Sequence, residues 1–420
     1  MDFISSKNIF LLTRDTLKLI DREIMKHGSR TGYIFYKLLL ESGGYEKFEL
    51  AEWAMLGTLH DIGAYKTNLF DEFVQYELKN VMPHSVYGYL FFKYLSPMSE
   101  RSKVLLYHHL DASKLKNNPF TYIKETELLS LAEKVDIYRM TLGEKFELSL
   151  FEKFRDTKFS SSSLELLQRA EEKYHIFEKI DSEEFEKELD HLMDYIMFTN
   201  EEKKKYMEML MYCLGFRSQN QVVDSVTSVC ICEELAKRLY LDEKTTEKLF
   251  YGALLHDLGM LAVPSEIIDA RRSLTADETA FVRKHVGISE NILKNRLDEE
   301  VLGIALAHHE RMDGTGYPQG LKENDMTLPM KILQVADTVT ALINERSYKQ
   351  ISGKDDTIST LRKEVSLNRF SKQIVEPMIV SYDEIIQKVN YESGEILKMN
   401  HKMEKQFHQV CEKYGIVNRC

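Results

Sequence analysis

Residues 252–264 read GALLHDLGMLAVP, an apolar segment that carries an adjacent His-Asp pair, His256 and Asp257. A charged carboxylate in so apolar a segment costs free energy to bury unless it is paired or bound to a metal. Other residues of metal-ligand type follow in order along the chain: His285, His308, His309 and Asp337. Imidazole and carboxylate together suit transition metals such as Fe, Mn or Zn. The stretch therefore predicts a site for two divalent ions that share a carboxylate, and such a pair can activate a water and bind a phosphoryl oxygen.

The same series of residues occurs twice in the chain. LGTLHDIG, residues 56–63, is echoed by GALLHDLG, residues 252–259, and His60 and His256 are 196 positions apart. The later matches keep an offset of 200 or 201: His84 with His285, His108 and His109 with His308 and His309, and Asp136 with Asp337. Self-similarity at a nearly constant offset indicates a tandem duplication of one domain.

Composition and periodicity predict the fold class. The chain has 420 residues with a hydrophobic fraction of 43%, enough for two cores, and only 7 Pro and 19 Gly. Strong helix formers dominate, and apolar residues recur at helical spacing. We therefore predict an all-α protein of two tandem helical domains, residues 1–198 and 199–420, joined by a helical connector within residues 170–210. From about Ser381 the pattern predicts one amphipathic helix, which either packs on its own domain or mediates a homodimer.

Charge and hydropathy limit the partners. A net charge of -11 argues against a DNA-binding or RNA-binding surface, which needs many clustered cations, but a small anionic ligand needs only a few local Lys or Arg. No apolar run has the length of a signal peptide or a membrane helix, so a cytoplasmic protein without membrane contact is expected. Five Cys without a framework spacing indicate reduced thiols.

Four motifs together resemble the HD-GYP family of the HD phosphohydrolase superfamily. They are HDLGMLAVP (256–264), HHERMDGTGYPQGL (308–321), ILQVADTVTAL (332–342) and RSYK (346–349), in the family's order and spacing. The resemblance implies an all-helical, metal-dependent phosphodiesterase that opens cyclic di-GMP, or a related cyclic dinucleotide, in bacterial second-messenger signalling. It also implies two divalent metal ions, with Fe or Mn favoured.

The resemblance assigns roles residue by residue. His256 and Asp257 are expected to be catalytic. The implied metal ligands are Asp224, His256, Asp257, His285, His308, His309 and Asp337. The implied substrate-binding residues are Gly316, Tyr317, Pro318, Arg346 and Lys349, where the last two supply cations for the phosphates.

Three departures from the family pattern leave an alternative open. Asp224 stands where the family has a first His, Met260 where it has a lysine, and Thr340 where it has a second Asp. Asp can still bind a borderline cation, so a two-metal site survives more easily than a three-metal one. The alternative is a catalytically impaired regulatory or scaffold protein that binds a cyclic dinucleotide or metal.

The N-terminal copy shows the opposite pattern. It keeps a full series of residues that could form a second metal site: His27, His60, Asp61, His84, His108, His109 and Asp136. It lacks the Gly-Tyr-Pro loop and the RSYK element, and Ala64 replaces the family lysine. We predict a degenerate domain used for regulation or dimerisation. A nucleotide phosphohydrolase of HD type at this second site is a further alternative.

Overall fold

A computed structural model describes residues 3–66, 82–115, 120–344 and 352–413 of the chain. Across these residues the regular structure is helical, and extended pairing is limited to two isolated bridges, Arg155 with Phe159 and Asp313 with Lys322. The prediction of an all-α protein is confirmed.

The helices form two compact units. The first unit consists of residues 1–19 and 203–402, and the second of residues 20–202 and 403–420. The sequence-based division into residues 1–198 and 199–420 remains our proposal for the extent of each domain.

The second unit contains the N-terminal series of ligand-type residues. Its α-helices, numbered in chain order, are α2 (Arg22–Ser42), α3 (Lys47–Thr58), α4 (Met82–Leu95), α5 (Ser102–Tyr107), α6 (Ala112–Leu115), α7 (Ile123–Leu142), α8 (Ser161–Tyr174), α9 (Ile176–Asp181) and α10 (Glu184–Leu192). Helix α2 packs on α3 and α7, and α4 packs on α5.

The first unit contains the C-terminal series. It begins with α1 (Ser6–Lys18), and its other helices are α12 (Gln219–Arg238), α13 (Glu243–Leu255), α14 (Ser265–Ile268), α15 (Ala276–Arg283), α16 (His285–Leu293), α17 (Glu299–Leu306), α18 (Leu328–Ile343), α19 (Lys354–Ser366) and α20 (Lys372–Val380). Helix α12 packs on α13 and α18, and α13 packs on α17.

The two units repeat one arrangement of helices. In each, a long helix carries the first ligand-type residue, the next helix ends at the His-Asp pair, and a later short helix ends at the His-His pair. The long helices α2 and α12 therefore correspond, as do α3 and α13, α5 and α17, and α7 and α18. The structure thus has two helical units with the same arrangement, as the repeat predicts.

Local sequence sets the ends of these helices. Asp21 caps α2, because its carboxylate accepts hydrogen bonds from the backbone N–H groups of Glu23 and Ile24 at 2.8 and 2.9 Å. The helix ends at Gly43, whose φ of 69° lies in the left-handed region that favours glycine.

The connecting and C-terminal segments are helical as well. Residues 200–213 form α11 (Asn200–Cys213), and the predicted C-terminal helix is α21 (Tyr382–Lys413), 32 residues long. Ile385 and Val389 of α21 are buried in the first unit, whereas Gln406 accepts a hydrogen bond from Tyr94 in the second. No helix in the described ranges combines the length and apolar character that a membrane span requires.

Candidate metal centres

The C-terminal cluster, defined as His256, Asp257, His285, His308, His309 and Asp337, is built around one carboxylate. Asp257 Oδ2 lies 3.4 Å from His256 Nε2, and Asp257 Oδ1 lies 3.3 Å from His285 Nε2 and 3.8 Å from His308 Nε2. Burial by itself would raise the pKa of Asp257, but these three imidazoles outweigh it and hold the pKa well below its usual value. Asp257 is therefore an anion that faces three imidazoles at once.

Helix ends set the orientation of these imidazoles. The Nδ1 atoms of His256, His285 and His308 each lie 2.7 Å from the carbonyl oxygen three residues earlier, on Ala253, Val282 and Ala305. A carbonyl oxygen only accepts, so each Nδ1 carries a proton, and in the neutral form of each ring Nε2 presents a lone pair to the cluster. This is the tautomer that a metal ligand needs.

Three imidazoles of the cluster bring their ligand atoms close together. His285 Nε2 and His308 Nε2 are 3.1 Å apart, and the ligand atoms of His285, His308 and His309 all lie within 4.8 Å of one another. Burial, and after it the neighbouring imidazoles, lowers the pKa of His308 well below its usual value. Burial also lowers the pKa of His309, to about 4, although the nearby Asp337 carboxylate acts in the opposite direction. Both rings are therefore neutral near pH 7, and the donor set fits transition-metal ions.

The second end of the cluster is open to solvent. His309 Nδ1 lies 3.4 Å from Asp337 Oδ2, and these side chains are 23% and 14% exposed. The central Asp257 side chain is 18% exposed. A ligand can therefore reach the C-terminal cluster from this side.

The loop after His309 folds back over the cluster. Tyr317 donates its backbone N–H to His309 O at 3.2 Å, and the rings of the two residues are 4.7 Å apart. Gly316 is required for this path, because a Cβ there would lie 2.3 Å from the backbone nitrogen of Arg311. Burial, with Asp337 and Asp257 nearby, raises the pKa of Tyr317, so its hydroxyl stays protonated and can donate a hydrogen bond.

A buried carboxylate anchors the far end of this loop. Glu310 is fully buried and accepts hydrogen bonds from the backbone N–H groups of Gln319 at 2.7 Å and Leu321 at 2.9 Å. Gln334 on α18 donates to the carbonyl oxygen of Glu310. The Gly-Tyr-Pro loop is thus attached to the helix that carries Asp337.

The N-terminal cluster, defined as His27, His60, Asp61, His84, His108, His109 and Asp136, is closed by comparison. Asp61 Oδ2 lies 3.3 Å from His60 Nε2, and Asp61 Oδ1 lies 3.4 Å from His84 Nε2. The side chains of the cluster are no more than 3% exposed. Burial by itself would raise the pKa of Asp61, but His60, His84 and His27 together outweigh burial and hold this pKa well below its usual value.

The chain is similar to known phosphodiesterases. Residues 208–374 match the family model described as HD domain. Over 395 residues, 90% of this chain and 91% of the relative, the chain is 24% identical to a Vibrio cholerae protein named 3'3'-cGAMP-specific phosphodiesterase 1. Over 165 residues it is 30% identical to a Thermotoga maritima protein named cyclic di-GMP phosphodiesterase, covering 38% of this chain and 44% of that relative. Residues 208–374 belong to the HD domain family, and the named relatives support membership of its HD-GYP type.

A solved structure agrees with the fold of this chain. The cyclic GMP-AMP-specific phosphodiesterase V-cGAP3 of V. cholerae matches with a TM-score of 0.56 at 15% identity, covering 90% of this chain and 98% of that chain. The chain spans less than half the length of several other relatives, including 30% of a V. cholerae protein named 3'3'-cGAMP-specific phosphodiesterase 2.

The predicted residues of the HD-GYP site are only partly brought together by observed contacts. The ligand-type residues from His256 to Asp337 converge, and Tyr317 of the loop lies beside them. Asp224 accepts a hydrogen bond from Asn344 Nδ2 at 2.7 Å, just after α18, and its role as a ligand remains a prediction. Arg346 and Lys349 lie outside the described residues.

Two of the departures from the HD-GYP pattern lie in the first unit's interior. Met260, at the position of the family lysine, is buried. The hydroxyl of Thr340 lies 2.9 Å from that of Ser228, also buried, which joins α18 to α12. Neither residue supplies charge to the site, so an anionic ligand must be bound by cationic side chains elsewhere.

Sequence reasoning missed several residues at the two clusters. Arg283 lies over the Tyr317 ring, 5.2 Å from its centroid, and Arg311 is a partly buried cation in the loop. In the N-terminal cluster, Arg30 and Glu133 contact the predicted residues. The only available signal was their chain position, since Arg311 and Glu133 lie within three residues of a predicted ligand and Arg283 lies two residues before His285.

Proposed function

We propose that the C-terminal cluster is the active site of a metal-dependent phosphodiesterase that hydrolyses a cyclic dinucleotide. The observation that carries the proposal is the contrast in access between the two clusters. Asp257 and Asp337 are reached by solvent beside the Gly-Tyr-Pro loop, whereas the side chains of the N-terminal cluster are sealed. A dinucleotide must bring its phosphodiester to the ligands, and of the two clusters only the C-terminal cluster allows this.

The C-terminal cluster would hold two divalent ions, Fe or Mn first among the candidates. Asp257 would bridge the ions, because its two oxygens face different imidazoles, His256 on one side and His285 and His308 on the other. When bound, such ions supply Lewis-acid stabilisation of phosphoryl oxygens and an activated water. Asp337 and Asp224 complete the proposed set of ligands.

Nearby cations and an aromatic ring would hold the dinucleotide. Arg283 is exposed and forms no ion pair with any described residue, so its charge is available to phosphates. Arg311 is partly buried and donates to the carbonyl oxygen of Glu310, and its remaining N–H groups are proposed as further phosphate donors. Tyr317 offers a protonated hydroxyl to the ribose or a phosphate of the dinucleotide. Arg346 and Lys349 remain proposed phosphate ligands on the strength of the RSYK motif alone.

The identity of the dinucleotide is a choice between cyclic di-GMP and 3'3'-cyclic GMP-AMP. The relative matched over 91% of its own length is named for 3'3'-cyclic GMP-AMP. Relatives named for cyclic di-GMP are matched over shorter shares, 44% and 42% in two cases. We propose 3'3'-cyclic GMP-AMP as the first substrate to test and cyclic di-GMP as the second.

The experiment is a turnover assay on the full chain. Protein prepared without oxygen and loaded with Fe or Mn is incubated with each dinucleotide, and products are separated by chromatography. We expect a linear dinucleotide or mononucleotides, loss of turnover with a chelator, and recovery on adding the metal back. The same preparation carrying Asp257→Ala is the control.

A second candidate function is a receptor that binds the dinucleotide without turnover. The observations that favour it are the apolar Met260 at the lysine position and the hydrogen bond that ties Asp224 to Asn344. Tight binding without product under every metal would establish this candidate. A nucleotide phosphohydrolase at the N-terminal cluster is not favoured, because its ligand-type side chains are buried.

A further inference from the structure

Residues 3–18 pack in the unit that holds the C-terminal cluster. Helix α1 (Ser6–Lys18) belongs to the first unit together with residues 203–402, whereas the chain enters the second unit at Ile20. The apolar side chains of α1 are fully buried, namely Ile9, Phe10, Leu12 and Leu17. The helix at the start of the chain is therefore part of the core of the first unit, although the N-terminal copy lies between the two in sequence.

Helix α1 contacts two elements that carry or adjoin residues of the cluster. It packs on α16, whose first residue is His285, and on the short 3-10 helix Leu258–Ala262, which directly follows Asp257. Close-packed interiors transmit displacements between neighbouring elements. The place of α1 therefore affects where both of these ligand-type residues lie.

Phe3, just before α1, contacts two further elements. Its carbonyl oxygen accepts the backbone N–H of Asp298 at 3.0 Å, and its ring lies 6.0 Å from that of Tyr251. Asp298 is the N-cap of α17, the helix that leads to His308. Tyr251 lies on α13, the helix that leads to His256. Residues 3–18 therefore contact all four elements that present the central carboxylate of the C-terminal cluster and the three imidazoles facing it.

Polar contacts tie α1 to the end of α16. Arg296, just past α16, donates to a carbonyl oxygen in the last turn of that helix at 2.5 Å and forms an ion pair with the Asp15 carboxylate of α1. Asn8 Nδ2 donates to the carbonyl oxygen of Arg296 at 3.0 Å. Two other cations near Asp15 lie on α1 itself, Lys18 at 3.2 Å and Arg14 at 3.9 Å. The pair with Arg296 is therefore the one that joins the two helices.

We propose that residues 3–18 are a positioning element of the C-terminal cluster. They hold the elements that present His256, Asp257, His285 and His308 at the spacing that the cluster needs. The residues of a functional site must be kept within about 0.5 Å of their working geometry by the structure packed around them. Residues 3–18 act in this way through the helices, and the inference rests on the function proposed for the C-terminal cluster.

The test measures backbone hydrogen exchange of the full chain without metal, resolved along the sequence by mass spectrometry. Asn8→Ala with Asp15→Asn removes both polar contacts between α1 and Arg296. Exchange in residues 258–262 and 285–293 is expected to accelerate about tenfold or more, since a hydrogen bond and a charge-assisted pair are lost together. Helix α12 reports on the overall stability of the same unit, and its exchange is expected to stay at the wild-type rate.

A matched control and a titration with Mn²⁺ complete the test. Asp383→Asn removes an exposed ion pair with Lys354 in the same unit, and it is expected to leave exchange in both segments unchanged. Mn²⁺ alone is expected to slow exchange in these segments, because a bound ion stabilises the elements that hold it. Half-maximal slowing in the double variant is expected to need about fivefold more Mn²⁺ than in the wild type, or more still.

Three results overturn the proposal: unchanged exchange in the two segments, acceleration that is equally large in α12, or the same Mn²⁺ dependence in the double variant and the wild type. If Mn²⁺ slows exchange in neither protein, the function proposed for the cluster fails, and the metal-free comparison still decides whether α1 holds these elements. Circular dichroism checks the fold. If the double variant does not fold, Asn8→Ala alone is used, and the same local acceleration, smaller in size, is expected.

Discussion

The ring of Tyr317 lies 4.7 Å from the ring of His309, eight positions earlier in the chain, and its backbone N–H donates to the carbonyl oxygen of the same residue. The motif that contains both residues is therefore one compact structure rather than a ligand pair followed by a free loop. The proposed substrate-binding ring borders the proposed metal site directly. A change in the position of the loop should therefore alter the proposed metal site.

Gly316→Ala is expected to abolish most turnover while leaving the helical fold intact. An added Cβ would lie 2.3 Å from the nitrogen of Arg311 and 2.4 Å from the Cα of Glu310, so the loop must shift away from the cluster. The matched control is Gly287→Ala on α16, where a Cβ meets nothing within 4 Å and a helical Ala is favoured over Gly. Turnover and far-ultraviolet circular dichroism of the two variants are compared. Equal activity in both would show that the loop's position is immaterial.

Replacing the buried anchor of the loop should reduce stability. Glu310→Gln puts an amide where one carboxylate accepts two backbone N–H groups, so at least one buried group loses its partner, at a cost of about 1 to 3 kcal/mol. The exposed residue Glu323 provides the control, Glu323→Gln. Urea unfolding gives the free energy of unfolding of each variant, and limited proteolysis of the loop gives its local opening. A loss confined to the control would contradict the anchoring role.

Removing the cations beside Tyr317 should weaken substrate binding. Hydrogen bonds to charged groups contribute about 1.5 to 3 kcal/mol, so Arg283→Ala or Arg311→Ala is expected to raise KM about tenfold or more, with a smaller effect on kcat. Arg271→Ala, at an exposed arginine, is the control. Initial rates over a range of dinucleotide concentrations separate the two parameters. If Arg271→Ala raises KM as much, the effect is one of general charge and not of these positions.

The two copies should respond differently to loss of their His-Asp pairs. Asp257→Ala is expected to lower turnover more than about 100-fold, since even residues one step removed from a metal cost roughly 10- to 100-fold. His60→Ala with Asp61→Ala should leave turnover within a modest factor, provided that the assay temperature is below the melting temperature of the variant. Turnover that survives Asp257→Ala but disappears with the N-terminal changes would place the active site in the other copy.

The sequence by itself determined the fold class and the composition of the C-terminal cluster. Helical periodicity and the scarcity of Pro and Gly are local properties, and they predict helices without knowledge of their packing. The nearly constant offset between the copies then indicated which residues correspond, as with His84 and His285. The order of the motifs predicted that His285 and His308 would meet Asp257, and the structure shows that a carbonyl oxygen at a helix boundary orients each ring.

Only the tertiary structure decided which members of each series are available to a ligand. The pairing of Arg30 with Asp136, 106 positions apart, depends on how α2 packs against α7, and no local pattern encodes that contact. The same holds for Arg283 over Tyr317, which meet through the fold of the loop. Exposure is likewise a property of the packed chain, so equivalent residues such as Asp61 and Asp257 share a motif, yet one is sealed and the other open.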